Sequence, residues 1–134
     1  MVYAVIDTNV FVSAFMTQNP NSATTKVVAE LVKGAIKPLY NAEIIAVYKE
    51  VLSRAHFHIS PSRIDTLVAF FYKNGIASDR AEYSGLFTDE SDRVFYEICL
   101  SKEESFLVTG NLKHYPKEPR VVTPAEMLEI LEKE

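Results

Sequence analysis

The chain has 134 residues, 48% hydrophobic and 24% charged, which suits one ordinary domain with a real core. Its formal net charge of −4 excludes a domain that grips nucleic acid through a global basic field, so any such role must rest on a local site. No run approaches the roughly 18–20 apolar residues that cross a bilayer, so no membrane role is expected.

The first apolar run, Val2 to Ile6, is short and rich in Val, Tyr and Ile, the signature of a buried strand. Asp7-Thr8-Asn9 interrupts it, and Val10 to Met16 continues as a short helix. Asn21-Ser22 precedes a second helix over Ala23 to Lys33, stopped by Gly34, and Ile36 to Tyr40 reads as a strand. Asn41 caps a helix reaching about Arg54. Ser60-Pro61 starts another, with Pro at the first helical position, which ends near Asn74-Gly75. Ile76-Ala77 is a brief strand. Thr88-Asp89 opens a helix to about Lys102, and Phe106 to Val108 is a strand ending at Thr109-Gly110-Asn111. Val121-Val122 is the last strand, and Thr123-Pro124-Ala125-Glu126 is a capping box opening a terminal helix. Strand alternating with helix argues for a parallel sheet covered on both faces.

Ligands of such sheets sit beyond the carboxyl ends of the strands. That rule selects Asp7-Thr8-Asn9 and Thr109-Gly110-Asn111, both polar and both directly following an apolar strand. Asp7 at a strand end is either an oxygen ligand for a hard cation or, with Asn9, a helix cap. Asp89 and Asp92 lie three apart at a helix start, where both can reach one cleft or serve as a capping pair favoured by the helix dipole. On the helix from Asn41, Glu43 and Glu50 fall opposite the stripe of Ile44, Ile45, Tyr48, Val51 and Leu52, with Val47 between. A solvated face and the edge of a cleft both fit that pattern. Thr109 and Asn111 offer short oxygen donors or acceptors, or simply a turn around Gly110. Lys113 and His114 beyond them are either phosphate contacts at a rim or a stray basic loop.

Other chemistries lack their residues. His56 and His58 flank Phe57 without a Cys or third His nearby, which disfavours zinc. No Gly-x-Ser-x-Gly turn or Gly-rich phosphate loop occurs. A phosphatase with an aspartyl nucleophile needs a second Asp two residues after the first, and Asn9 stands there. Cys99 is alone, so a reducing compartment is expected, and Met1 to Ile6 has no basic leader; both point to a cytoplasmic protein.

Four segments occur in order: Asp7-Thr8-Asn9-Val10, Tyr48-Lys49-Glu50-Val51-Leu52-Ser53-Arg54, Asp89-Glu90-Ser91-Asp92-Arg93-Val94-Phe95 and Leu107-Val108-Thr109-Gly110-Asn111. Together they resemble the PIN domain, in particular its branch of toxin components of toxin–antitoxin pairs. The likeness spans nearly the whole chain. It implies a single domain over residues 1–134, a three-layer α/β/α sandwich around a parallel sheet of about five strands. It also implies carboxylates that bind Mg²⁺ or Mn²⁺ and hydrolyse RNA, an antitoxin protein as partner, and a homodimer. By resemblance Asp7 is the first metal acid and Asp92 the third, and Thr109 and Asn111 occupy the fourth motif, where many relatives have an acid but this branch often shows Asn. The branch carries a glutamate just before the tyrosine of the middle helix, and here that residue is Val47. Glu43 or Glu50 would then have to substitute, or Asp7, Asp89 and Asp92 hold the ion alone.

Overall fold

The computed structural model describes residues 1–134. Five strands, β1 (Val2–Ile6), β2 (Ile36–Tyr40), β3 (Ile76–Ala77), β4 (Ser105–Val108) and β5 (Val121–Val122), form one sheet in the order β3-β2-β1-β4-β5. Every neighbouring pair is parallel. Six helices flank it: α1 (Thr8–Met16), α2 (Ala23–Lys33), α3 (Ala42–Leu52), α4 (Pro61–Asn74), α5 (Arg93–Leu100) and α6 (Pro124–Glu132). This is the expected three-layer α/β arrangement, and none of the helices is long and apolar enough to cross a membrane.

The sequence signals act where they were expected. Ser22, Asn41, Ser60 and Thr123 each accept a backbone amide at a helix start, and Thr123 with Glu126 forms the full capping box. Gly34 ends α2 with φ 89°, a left-handed conformation that a side chain would strain. At Gly75 the chain passes so close to α4 that a Cβ would meet the Phe71 carbonyl oxygen at 2.7 Å.

One correction concerns the late helix. The segment expected to be helical from Asp89 begins as a 3-10 turn over Glu90–Asp92, and α5 spans only Arg93–Leu100. Asp89 bonds the amide and hydroxyl of Ser91, which tightens that turn instead of starting an α-helix.

The core gathers both faces of the sheet. Ala4, Val5 and Ile6 of β1 are fully buried, as expected of a central parallel strand. Phe11, Tyr48, Phe71 and Phe95 form an aromatic cluster, with Tyr48 5.2 Å from both Phe11 and Phe71 and 6.0 Å from Phe95. The buried Tyr48 hydroxyl donates to the Ile6 carbonyl at 2.5 Å, so α3 is pinned to the last residue of β1. Tyr48→Phe removes this bond from a dry site. We expect a loss of about 1–3 kcal/mol in denaturant unfolding, with an unchanged m-value; stability equal to the parent would remove the bond from the account.

Candidate active site

The order β3-β2-β1-β4-β5 has its switch point between β1 and β4: the chain proceeds outward from β1 to one side, then crosses to build the other. The carboxyl ends of those two strands face a crevice there, the usual ligand position in open α/β sheets. In their register Ile6 pairs with Val108, so the next residues, Asp7 and Thr109, are neighbours despite lying 102 positions apart. The Asp7 amide bonds the Val108 carbonyl at 2.9 Å and the Thr109 amide bonds the Val122 carbonyl at 2.9 Å, so both backbones are fixed by the ladder.

Asp7 is buried, and its Oδ2 accepts three side-chain bonds. Thr109 Oγ1 donates at 2.8 Å, Tyr115 Oη at 3.0 Å and Asn9 Nδ2 at 3.3 Å. Asp7 stands at the N-cap of α1 but makes no well-formed capping bond, so capping does not account for its position. Burial pushes its carboxyl above the usual range; Thr109, Tyr115 and the nearby amides of Thr8 and Asn9 pull it back only in part. Asn9 completes the frame, its Oδ1 accepting the Gly110 amide at 3.0 Å.

Asp92 closes the 3-10 turn ahead of α5, its side chain 13% exposed. Its carboxyl is raised to about 6, first by burial, then by the charges of Asp7 and Asp89, against the opposing pull of His114. The charge of Asp7 therefore reaches Asp92, and both also raise the Tyr115 phenol. Asp92 Oδ2 is buried without a hydrogen-bond partner. His114 Nδ1 lies 3.2 Å from it, an ion-pair contact. Thr8 Oγ1, next to Asp7, is likewise buried and unpartnered. Orphaned polar atoms of this kind are costly and signal a missing water or ion.

The remaining candidates are distributed differently. Asp89 is exposed and occupied with Ser91, close enough only for its charge to reach Asp92. Glu50 is exposed in an ion pair, 2.9 Å, with Arg54 just past the end of α3. Glu43 pairs with Arg80 at 2.7 Å. Neither glutamate makes a hydrogen bond or ion pair with Asp7, Asp92, Thr109 or Asn111, and both are committed to arginines. Val47 is half-buried against the core. Asn111 donates its amide to the Thr109 hydroxyl at 3.0 Å, and its side chain meets His114 Nε2 at 2.9 Å. His114 thus lies against Asp92 through Nδ1 while its ring stays exposed. His56 packs on Phe57 at a ring separation of 4.2 Å.

Two groups escaped the sequence reading. Tyr115 reaches Asp7 from a loop with no periodicity to announce it. Glu97 is a buried acid inside the apolar run Val94 to Cys99, an anomaly visible in the sequence. It accepts the Tyr83 amide at 2.9 Å and Arg80 at 2.7 Å, and Arg80 links it to Glu43, tying α5 to α3. Burial pushes the Glu97 carboxyl up, but the Tyr83 and Arg80 bonds outweigh it and hold the group below its ordinary range.

No three His, Cys, Asp or Glu side chains converge into a ready metal cage. Asp7 and Asp92 nevertheless suit one hard divalent ion, because Mg²⁺-type ions keep several waters and take one or two carboxylates. The unpartnered Asp92 oxygen is the observation that favours this fit. A comparison with family models matches the PIN domain over residues 3–113, leaving β5 and α6 beyond the match. Curated proteins give no match.

Proposed function

This chain belongs to the PIN domain family, whose members are typically nucleases using divalent metals, and on that premise we propose that it is a metal-dependent endoribonuclease, the toxin of a toxin–antitoxin pair. What carries the proposal is the pair of Asp7, at the switch point of the sheet, and Asp92, whose carboxyl feels the charge of Asp7 and whose buried oxygen lacks a partner. The partners are an RNA substrate, an antitoxin protein and a second copy of the chain.

The residues divide the work by geometry. Asp7 and Asp92 would hold one Mg²⁺ or Mn²⁺ ion. Thr109, Tyr115 and Asn9 lock the Asp7 carboxylate in one orientation, so little reorganisation is needed on binding. Asn111 fixes Thr109 through its backbone amide, and Lys113 on the following 3-10 turn is exposed where a phosphate would approach. When bound, the ion supplies the positive charge an acidic chain lacks, polarises the scissile phosphodiester and makes water a usable nucleophile near neutral pH. Without it, the paired carboxylates repel phosphate. The test is incubation with single-stranded RNA and Mg²⁺ or Mn²⁺: internal cleavage that stops on chelation is expected, and cleavage indifferent to chelator would overturn the reading.

A second reading is a PIN domain that binds RNA or a partner without cutting. It is favoured by Val47 in place of the branch's glutamate and by the absence of a third converging acid. Val47→Glu separates the two. If the native centre lacks an acid, metal affinity and cleavage rise by about tenfold or more. If the present residues already complete the centre, isothermal titration with Mn²⁺ and the cleavage rate both stay near the parent's.

A further inference from the structure

We propose that the groove over the Leu112–Glu118 loop seats the single-stranded RNA flanking the scissile phosphate, with Lys113 and Lys117 as its phosphate contacts. This deepens the nuclease reading above and rests on it. The groove encloses about 400 Å³, within the range of about 300–1,000 Å³ usual for sites that take small organic groups. Leu112, Tyr115 and Pro116 give it an apolar lining, and Leu112 is 42% exposed. Tyr115 joins it to the candidate site, because the same side chain donates its hydroxyl to Asp7 at 3.0 Å. A strand lying across Asp7 has this groove beside it.

Charge selects the occupant. The chain is acidic, and its arginines are committed internally: Arg54, Arg80, Arg93 and Arg120 pair with carboxylates and Arg63 lies over the Phe15 ring. Lys113 and Lys117 are exposed, line the groove and enter no ion pair. Glu118, the acid of the lining, has its charge met by Arg120 at 2.8 Å and by the Tyr96 hydroxyl. The groove thus presents two free ammonium groups beside an apolar surface. A nucleic-acid strand matches both, its phosphates meeting the lysines and an unstacked base the apolar side. A base is free to leave its stack in a single strand, which sets the duplex apart. Two local contacts also suit a chain of net charge −4, since they position a strand without a global basic field.

The experiment follows a labelled single-stranded oligoribonucleotide binding to the full chain by fluorescence anisotropy. It runs across a salt series in EDTA, so that metal-dependent cleavage does not intervene. In Lys113→Gln/Lys117→Gln, Kd is expected to rise at least about tenfold. The slope of log K against log salt should flatten by about 1.4, two contacts at about 0.7 each. Leu112→Ser should weaken binding about threefold or more with the slope unchanged. Lys26→Gln/Lys133→Gln, on α2 and at the end of α6, should keep the parent's Kd and slope. Tm verifies that each variant is folded. No binding by the parent, or parent-like Kd and slope in the Lys113/Lys117 variant, overturns the groove. So does displacement of the RNA by an oligoglutamate of equal charge at equal concentration, which would mark a seat for acidic peptide. Cleavage of the same RNA by the parent with Mn²⁺ leaves the nuclease reading standing in those cases. Lysine-dependent binding without any cleavage in Mn²⁺ overturns the nuclease reading and leaves the groove as the seat of a strand that is held and not cut.

Discussion

Asp7→Asn is expected to lower metal-dependent RNA cleavage by more than about 100-fold while leaving the fold intact. Removing partners that merely orient a metal ligand costs about 10–100-fold, and Asp7 is proposed as a ligand itself. Asn keeps the shape and can still accept the bonds from Thr109 and Tyr115, so packing is preserved. Burial already disfavours the charged form of Asp7, so the neutral amide should not destabilise the metal-free protein. Single-turnover cleavage at saturating Mn²⁺ is the measurement. A rate within tenfold of the parent would place the chemistry elsewhere.

Asp92→Asn should show the complementary effect: an inactive protein that is more stable than its parent. The folded carboxyl of Asp92 is raised to about 6 from an ordinary value of 3.8. Because the folded state binds the proton more tightly, its stability advantage is present below about pH 4. It is lost as pH rises through about 6, and above that the charge is carried at a cost. Solvent near the site screens the charge, which leaves a cost of about 1–2 kcal/mol at neutral pH, about 5 °C in Tm. In metal-free buffer the variant should melt higher than the parent at pH 7.5, and the difference should close as the pH is lowered toward 4. Saturating Mn²⁺ should reverse the order, since ligand binding stabilises only the parent's site. A variant that melts lower than the parent at every pH would show that Asp92 serves the fold instead. Such a conflict between activity and stability is common where like charges are gathered for function.

The architecture was largely legible before any coordinates. Caps at Ser22, Asn41, Ser60 and Thr123, stops at Gly34 and Gly75, and short β-branched runs act locally, so sequence carries them. Asp7 and Thr109 were picked out by the rule that ligands sit beyond the carboxyl ends of parallel strands, whereas the switch point between β1 and β4 emerged only with the strand order. What sequence did not carry depends on tertiary approach. The tie from Tyr115 to Asp7 joins residues 108 positions apart through an irregular loop. The choice of Glu43 and Glu50 for Arg80 and Arg54 over the hollow depends on where those arginines fall. Helical spacing placed both glutamates on one face but could not say what that face meets. Asp89 shows the same limit: its spacing to Asp92 suited a shared cleft, yet Ser91 two residues on captures it into a local turn. The placing of His114 beside Asp92 rests on Asn111, an interaction with no periodic signature.

Two acids from distant parts of the chain, Asp7 at the end of β1 and Asp92 in the turn ahead of α5, are held here to share one divalent cation. Diffraction from a crystal of the chain soaked in Mn²⁺, collected for anomalous scattering, tests this most directly. A strong peak bridging the carboxylates of Asp7 and Asp92 is the predicted result. An ion bound elsewhere, or no peak between them at saturating Mn²⁺, would contradict it.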